Sequence, residues 1–164
     1  MGFKTSIITV SDKGHRRERE DKSGRAIQKA LLGLEFEVMD YRIVPDDKDE
    51  IREALIDAID HLGCDMVFTT GGTGLSPRDV TPEATSEVID KQVPGFAEAM
   101  RAQSLKKTPH AMISRALCGV RNSSLILNLP GSPKAALECL EVTLPALPHA
   151  LSKLKGDPSE CGSG

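Results

Sequence analysis

Three observations predict an α/β fold, a three-layer sandwich with a mostly parallel central sheet flanked by helices. Short β-branched apolar runs alternate with longer stretches in which apolar residues recur every three or four positions. The alternation repeats three times in the first half, the pattern of parallel strands joined by crossover helices. The chain has 164 residues, the size of one domain, and such a chain buries roughly 70% of its unfolded surface.

"FKTSIITV" (3–10) is apolar and β-branched and reads as a buried strand. The polar stretch "SDKGHRREREDKSG" (11–24) reads as a loop, its "HRRERE" part as a solvated mixed-charge surface. Ile27, Ala30, Leu31 and Leu34 then fall on one helical face. "FEVMDYRIV" (36–44) is a second strand, stopped by Pro45. Ile51, Ala54, Leu55, Ala58, Ile59 and Leu62 form a second helical stripe, and "DMVFTT" (65–70) a third strand. A helix follows from about Pro82, with Thr81 as its N-cap. In the second half, 94–109 reads as a short helix and a loop. The stretch 111–130 reads as a hairpin around "RNSS" with at least one strand. Residues 131–154 read as a helix capped by Ser132 and kinked or broken by Pro145 and Pro148. Residues 1–156 are expected to form a single domain and 157–164 a flexible tail.

Composition removes several function classes. The net charge is −3, which argues against a non-specific nucleic-acid binder. No apolar run reaches a membrane-spanning length and no signal peptide is present, so a cytoplasmic protein without a membrane partner is expected. Cys64, Cys118, Cys139 and Cys161 contain no C-x-x-C pair and read as reduced thiols. "MGFKTS" fits a myristoylation pattern but runs directly into a strand, and the "NSS" at 122–124 matters as a glycosylation acceptor only in a secreted protein.

In a parallel α/β sheet, ligands bind beyond the carboxyl ends of the strands. The loops at 11–23, 45–48 and 71–79 are therefore expected to converge. The third is "GGTGLSPRD". Gly71, Gly72 and Gly74 let backbone N–H groups turn inward as an anion nest, with Thr73 and Ser76 adding hydroxyl donors. The same glycines also fit a tight strand-to-helix turn. The loop is neither a Walker A motif nor a dinucleotide fingerprint. Asp46 and Asp79 each lie just past a strand end. Two carboxylates on adjacent loops can hold Mg²⁺ while phosphates complete its shell. Asp46 also fits as an acid at a helix N-terminus, and Asp79 as a salt-bridge or cap residue. "GSP" (131–133) is either a further anion site or a helix cap. The residues alone thus point to a phosphate or nucleotide binder that uses Mg²⁺.

Longer motifs go further. "TTGGTGLSPRDVTPEAT" (69–85) closely resembles the molybdopterin-binding family of molybdenum cofactor synthesis. So do "VSD" (10–12), "DKSG" (21–24), "VPDD" (44–47), "SLKKTPHAMISRA" (104–116) and "LNLPGSPKAALECLE" (127–141). The resemblance spans roughly residues 3 to 156, is strongest to the adenylyltransferase branch, and makes 1–156 a molybdopterin-binding domain. It implies transfer of AMP from Mg-ATP to the terminal phosphate of molybdopterin, with release of pyrophosphate. It implies that Asp46 and Asp79 serve catalysis and hold the metal, and that Gly71, Gly72, Thr73, Gly74 and Ser76 hold the nucleotide. It assigns Ser11, Asp21, Ser104, Ser114, Pro130 and Gly131 to molybdopterin. It further implies a homotrimer and handover of product to a separate molybdenum insertase. The alternative within the family is a non-catalytic molybdopterin carrier or scaffold.

Overall fold

The computed structural model describes residues 2–162. Met1, and residues 163–164 of the expected tail, lie outside them. Strand β1 (Phe3–Val10) leads into a single helical turn α1 (Asp12–His15), then helix α2 (Lys22–Ala30) and strand β2 (Phe36–Val44). Helix α3 (Lys48–Ile56) runs into a π-helical turn at Asp57–His61 and on to β3 (Met66–Thr70). Helix α4 (Thr81–Val88), a short strand β4 (Lys91–Gln92) and helix α5 (Pro94–Leu105) follow. A 3₁₀ turn at Pro109–Ile113 precedes the hairpin strands β5 (Cys118–Arg121) and β6 (Ser124–Leu129). Helices α6 (Pro133–Thr143) and α7 (Leu147–Leu154) close the fold.

The six strands form one sheet in the order β2-β1-β3-β6-β5-β4. The first four are mutually parallel, and β5 and β4 continue the sheet antiparallel. Alternate side chains feed opposite layers, as strand geometry requires. Ile7, Phe68, Leu127 and Leu129 pack in one core with Ile27, Leu31, Leu140 and Leu151. Ile8, Val67 and Ile126 pack in the other with Ile51, Leu55, Ala84 and Val88. This is the expected three-layer sandwich. Among the described residues no helix is long and apolar enough to cross a membrane.

Several local expectations are corrected. The polar stretch 11–24 is not all loop. Ser11 Oγ accepts from Gly14 N–H at 3.0 Å and Asp21 Oδ1 from Gly24 N–H at 3.0 Å, so each residue caps a helix. Helix α2 ends before Leu34. Ile27 and Leu31 are buried and Ala30 is exposed, and Leu34 leaves the helical face because the chain turns at Gly33 with φ +77°. Leu62 likewise falls outside the core. Thr81 is not the cap of α4. Val80 holds that position, and the Thr81 hydroxyl donates instead to the Gly71 carbonyl at 2.9 Å. The expected break occurs at Pro145, between α6 and α7, whereas Pro148 breaks nothing and sits in the first turn of α7.

The register sets the stage for chemistry. Val10 pairs with Val44, Thr9 with Thr70, and Thr70 with Leu129, so four parallel strands end at one level. From β1 the chain passes outward to β2 and then returns to the far side of β1 as β3. The loops after β1 and β3 therefore part at a topological switch point, where α/β folds open a crevice.

Candidate active site

A cavity of about 800 Å³ occupies that crevice, a size suited to a nucleotide or a comparably large organic phosphate. Asp46, Asp79, Gly71, Gly72, Ser11, Asp21 and Gly131 all line it, drawn from the ends of four strands. A second cavity, of about 210 Å³, lies between α5, the 3₁₀ turn and α6, and Ser104, Ser114 and Pro130 line it. Of the adjacent residues Pro130 and Gly131, the first lines the smaller cavity and the second the larger. Of the remaining expected site residues, Thr73 is buried, Ser76 is exposed, and neither they nor Gly74 line either cavity.

The glycines of the third loop are there because two backbones and a side chain crowd it. Gly71 has φ +102°, and a Cβ at that position would sit 2.4 Å from the Val10 carbonyl oxygen. Gly72 has φ +68°, and its Cβ would meet Thr81 Oγ1 at 2.3 Å and Asp46 Oδ1 at 3.4 Å. Gly71 N–H donates to Leu129 O at 3.1 Å, which extends the β3–β6 ladder by one residue and removes that donor from any anion nest.

Asp46 is held from below. Its Oδ2 accepts from Asp12 N–H at 2.9 Å, and its own N–H donates to Asp12 Oδ1 at 2.9 Å. Arg78 grips Asp12 with two bonds, Nε to Oδ2 at 3.0 Å and Nη2 to Oδ1 at 2.9 Å. The guanidinium holds the Asp12 carboxyl below its usual range. Asp46 moves the other way. Burial raises its pKa, and the charges of Asp12 and Asp79 push in the same direction. The helix-cap role open to Asp46 in the sequence belongs to Asp47, whose Oδ1 accepts from Glu50 N–H at 3.0 Å. Asp46 is thereby free to face the cavity.

Asp79 is held from the side. Its Oδ2 accepts from Ser76 N–H at 3.1 Å. Arg115 reaches across the loop, with Nε on Gly74 O and Nη2 on Asp79 O, both at 2.8 Å, while its N–H donates to Thr73 O at 2.9 Å. Its guanidinium also pairs with Glu83. Sequence reading missed Arg78, Asp12 and Arg115 as site-building residues. The only signal for them is the Arg-Asp pair beside Asp79 and the Asp after Ser11, because the contacts themselves join distant segments.

Asp21 is a hub on the opposite wall. Its Oδ2 accepts from the Thr9 hydroxyl at 2.6 Å and from the Tyr41 hydroxyl. Burial, then this bond to Asp21, raises the Tyr41 pKa and keeps the phenol protonated. Arg19 and Lys22, from the stretch read as a solvated surface and its continuation, also line the large cavity and supply positive charge. Ser132 caps α6, its Oγ accepting from Ala135 N–H at 3.5 Å, and lines the same cavity. Four free cysteines are present, and Cys64, Cys118 and Cys139 are buried. Burial pushes the Cys64 thiol up to about 11 and Cys118 to about 12, so neither is a nucleophile at neutral pH.

Among the described residues no three His, Cys, Asp or Glu side chains are gathered so as to hold a metal ion by themselves. Two carboxylates on one cavity wall are nevertheless the protein's usual share of a Mg²⁺ site, the rest of the shell coming from water and phosphate oxygens. The raised pKa of Asp46 fits that chemistry, since a cation would relieve the repulsion among the three aspartates.

Comparison with known proteins agrees with this architecture. Residues 6–149 match the family described as a probable molybdopterin binding domain. A protein named molybdopterin adenylyltransferase from Helicobacter pylori (strain J99) is 47% identical over 156 residues, covering 92% of this chain and 87% of the relative. One of the same name from Escherichia coli (strain K12) is 40% identical over 142 residues, covering 85% of this chain and 72% of the relative. The solved structure of the molybdopterin biosynthesis enzyme MoaB from Thermus thermophilus superposes with a TM-score of 0.90 at 54% identity, covering 96% of this chain and 99% of that one. On the matched residues, the shared fold and these near whole-length likenesses, the chain belongs to the molybdopterin-binding domain family.

Proposed function

We propose that this protein is a molybdopterin adenylyltransferase of molybdenum cofactor biosynthesis. It joins AMP from Mg-ATP to the terminal phosphate of molybdopterin. An oxygen of that phosphate attacks the α-phosphorus of ATP, the bond from the α-phosphorus to the bridging oxygen breaks, and pyrophosphate leaves. The attacking phosphate already carries the electron pair, so the chemistry asks for no protein nucleophile. The observation that carries the reading is a pair of cavities of different character, lined by the adjacent residues Gly131 and Pro130. The larger, with its carboxylates and basic rim, suits the triphosphate, and the smaller, mostly apolar one suits a flat heterocycle.

In this reading Ser104, Ser114 and Pro130 position the pterin. Ser11 and Gly131, with the turn at Gly71–Gly72, position phosphates in the larger cavity, and Asp21 serves molybdopterin binding by fixing that wall through Thr9, Tyr41 and Gly24. Thr73, Gly74 and Ser76 act by shaping that turn and the seat of Asp79. Asp46 and Asp79 would hold Mg²⁺, which when bound neutralises charge on phosphate oxygens. The protein's own contribution is alignment of the two reactants and a fixed electrostatic frame, sources of large rate effects. We further propose that the protein works in the cytoplasm as a homotrimer and hands its product to a separate molybdenum insertase. Exposed Leu105, Met112 and Ile113 at the end of α5 and the adjoining turn support self-association.

The test is direct. Purified protein is mixed with molybdopterin, Mg²⁺ and ATP, and adenylylated molybdopterin is sought by mass spectrometry. Product with the wild type, lost in Asp46→Asn and Asp79→Asn, is the expected result. Bound pterin without product under any divalent metal would replace the enzyme with a carrier.

A further inference from the structure

The smaller cavity has one acidic side chain in its wall. Glu138 stands on α6 beside Cys139, whose Sγ lies 3.7 Å from Ser104 Oγ in the same cavity. The rest of the lining is Met100, Ala111, Pro130 and Ala135 with a hydroxyl and basic rim. Glu138 Oε1 accepts from Lys107 Nζ at 3.1 Å. Among the described residues its second oxygen has no partner. The carboxylate is 24% exposed, against 50% for Lys107, so it is the inner member of the pair. Lys107 anchors one oxygen of this cavity-lining carboxylate and leaves the other unbonded among the described residues.

A carboxylate accepts hydrogen bonds and donates none. In a slot for a flat heterocycle it selects an edge that carries adjacent N–H donors. The 2-amino-4-oxopyrimidine edge of a pterin carries them, in its ring N3–H and 2-amino group, and its 4-oxo group is an acceptor for a hydroxyl such as that of Ser104 or Ser114. A 2,4-dioxo ring keeps the N3–H but sets a carbonyl oxygen where the amino group was, against the carboxylate.

We propose that Glu138 is the specificity-determining residue of the smaller cavity, reading the amino-pyrimidinone edge of the pterin and rejecting its 2-oxo analogue. The inference rests on the reading of that cavity as the pterin subsite. A site built to bond a substrate N–H discriminates strongly against an analogue that lacks it, because the buried acceptor is left unmatched. A single charge-assisted bond gives a preference of roughly tenfold to a hundredfold.

The experiment compares 6-hydroxymethylpterin with 6-hydroxymethyllumazine, which differ only at position 2. Binding is followed by ligand fluorescence anisotropy up to millimolar protein. The chain has no Trp and one Tyr, so protein emission is low. Wild type is expected to prefer the pterin by at least about tenfold. In Glu138→Gln, which exchanges one acceptor for a donor, the two ligands should bind within about threefold of each other. The ratio is taken on one folded sample, and unchanged ATP binding checks the fold, so a merely structural loss would weaken both ligands alike. Equal binding of the two by wild type, or a preference that survives in Glu138→Gln, overturns the role of Glu138 and leaves the pterin subsite standing. Absence of binding by either ligand to the wild type overturns the subsite and the inference together.

Discussion

The two ends of the parallel sheet treat their acids in opposite ways. At the amino end Asp60 and Asp65 each meet a base. Asp60 takes Arg121 Nε at 3.0 Å and Nη2 at 2.6 Å, and Asp65 takes Lys155 Nζ at 2.9 Å. The guanidinium lowers the Asp60 pKa. At the carboxyl end Asp12, Asp46 and Asp79 share one corner, where the Arg78 guanidinium is spent on Asp12 and that of Arg115 on two backbone carbonyls and Glu83. Burial and its neighbours raise the Asp46 pKa there. Folding alone gains from the first arrangement and loses by the second. The difference supports the proposal that a cation and its phosphate ligand complete the electrostatics at the carboxyl end.

The largest effect should come from removing the acids at that end. Asp79→Asn is expected to lower the rate of adenylylation roughly a thousandfold and to leave pterin fluorescence titrations unchanged. Asp46→Asn should match it in activity but not in stability. A carboxylate whose folded pKa lies above its unfolded value contributes least once pH has risen through the folded pKa. Asn keeps an acceptor for Asp12 N–H and sheds the buried charge. Thermal unfolding at pH 7 should therefore show Asp46→Asn as stable as wild type or more so. A clear fall in Tm would break the comparison between the two ends.

Next in size are changes to the frame around the acids. Gly71→Ala puts a methyl 2.4 Å from the Val10 carbonyl oxygen at φ +102°, and should cost about 2–3 kcal/mol in denaturant unfolding. Arg115→Lys keeps the charge and loses the fork that holds Gly74 and Asp79. It should lower kcat roughly tenfold, with the KM for the pterin substrate nearly unchanged, since Asp79 and not the smaller cavity is disturbed. An equal rise in that KM would show that Arg115 supports both cavities.

Much of this was legible in the sequence, for physical reasons that also explain what was not. The β-branched runs of β1 and β3 have one stable environment, a sheet buried on both faces, so the fold class and the level of the strand ends follow. Helix α1 was missed because four residues are too few for an apolar stripe, and its stability lies in the Ser11 cap. Strand β4 has two residues and exists only through its pairing with β5. The glycine loop and both aspartates could be placed, since each follows a strand end. The arginines that fix them could not, since Arg78 reaches Asp12 and Arg115 reaches Gly74 across long chain separations. The sequence also grouped Ser11, Asp21 and Gly131 with Ser104, Ser114 and Pro130. The structure divides them between two cavities, because a side chain's destination depends on which layer its element packs in.

The smallest effect belongs to the balanced end and serves as its control. Asp60 is bonded by Arg121 and by Asn122 Nδ2 at 3.1 Å, and Arg121 also donates to Val88 O at 2.9 Å. The cluster joins the turn after α3 to the hairpin of β5 and β6. A carboxyl with a folded pKa below its unfolded value adds stability that is fully present above the unfolded pKa and is lost as pH falls through the folded one. The Asp60 side chain is 28% exposed, which screens the pair and limits its worth to roughly 1 kcal/mol or less. Asp60→Asn should therefore be slightly less stable than wild type from neutral pH down to about pH 5. The gap should close through the acid range below about pH 4, as Asp60 of the wild type takes up its proton. Adenylylation should not change. A gap that stays constant down to about pH 2 would assign the cluster's contribution to packing and hydrogen bonding, and the contrast between the two ends would then rest on Asp12, Asp46 and Asp79 alone.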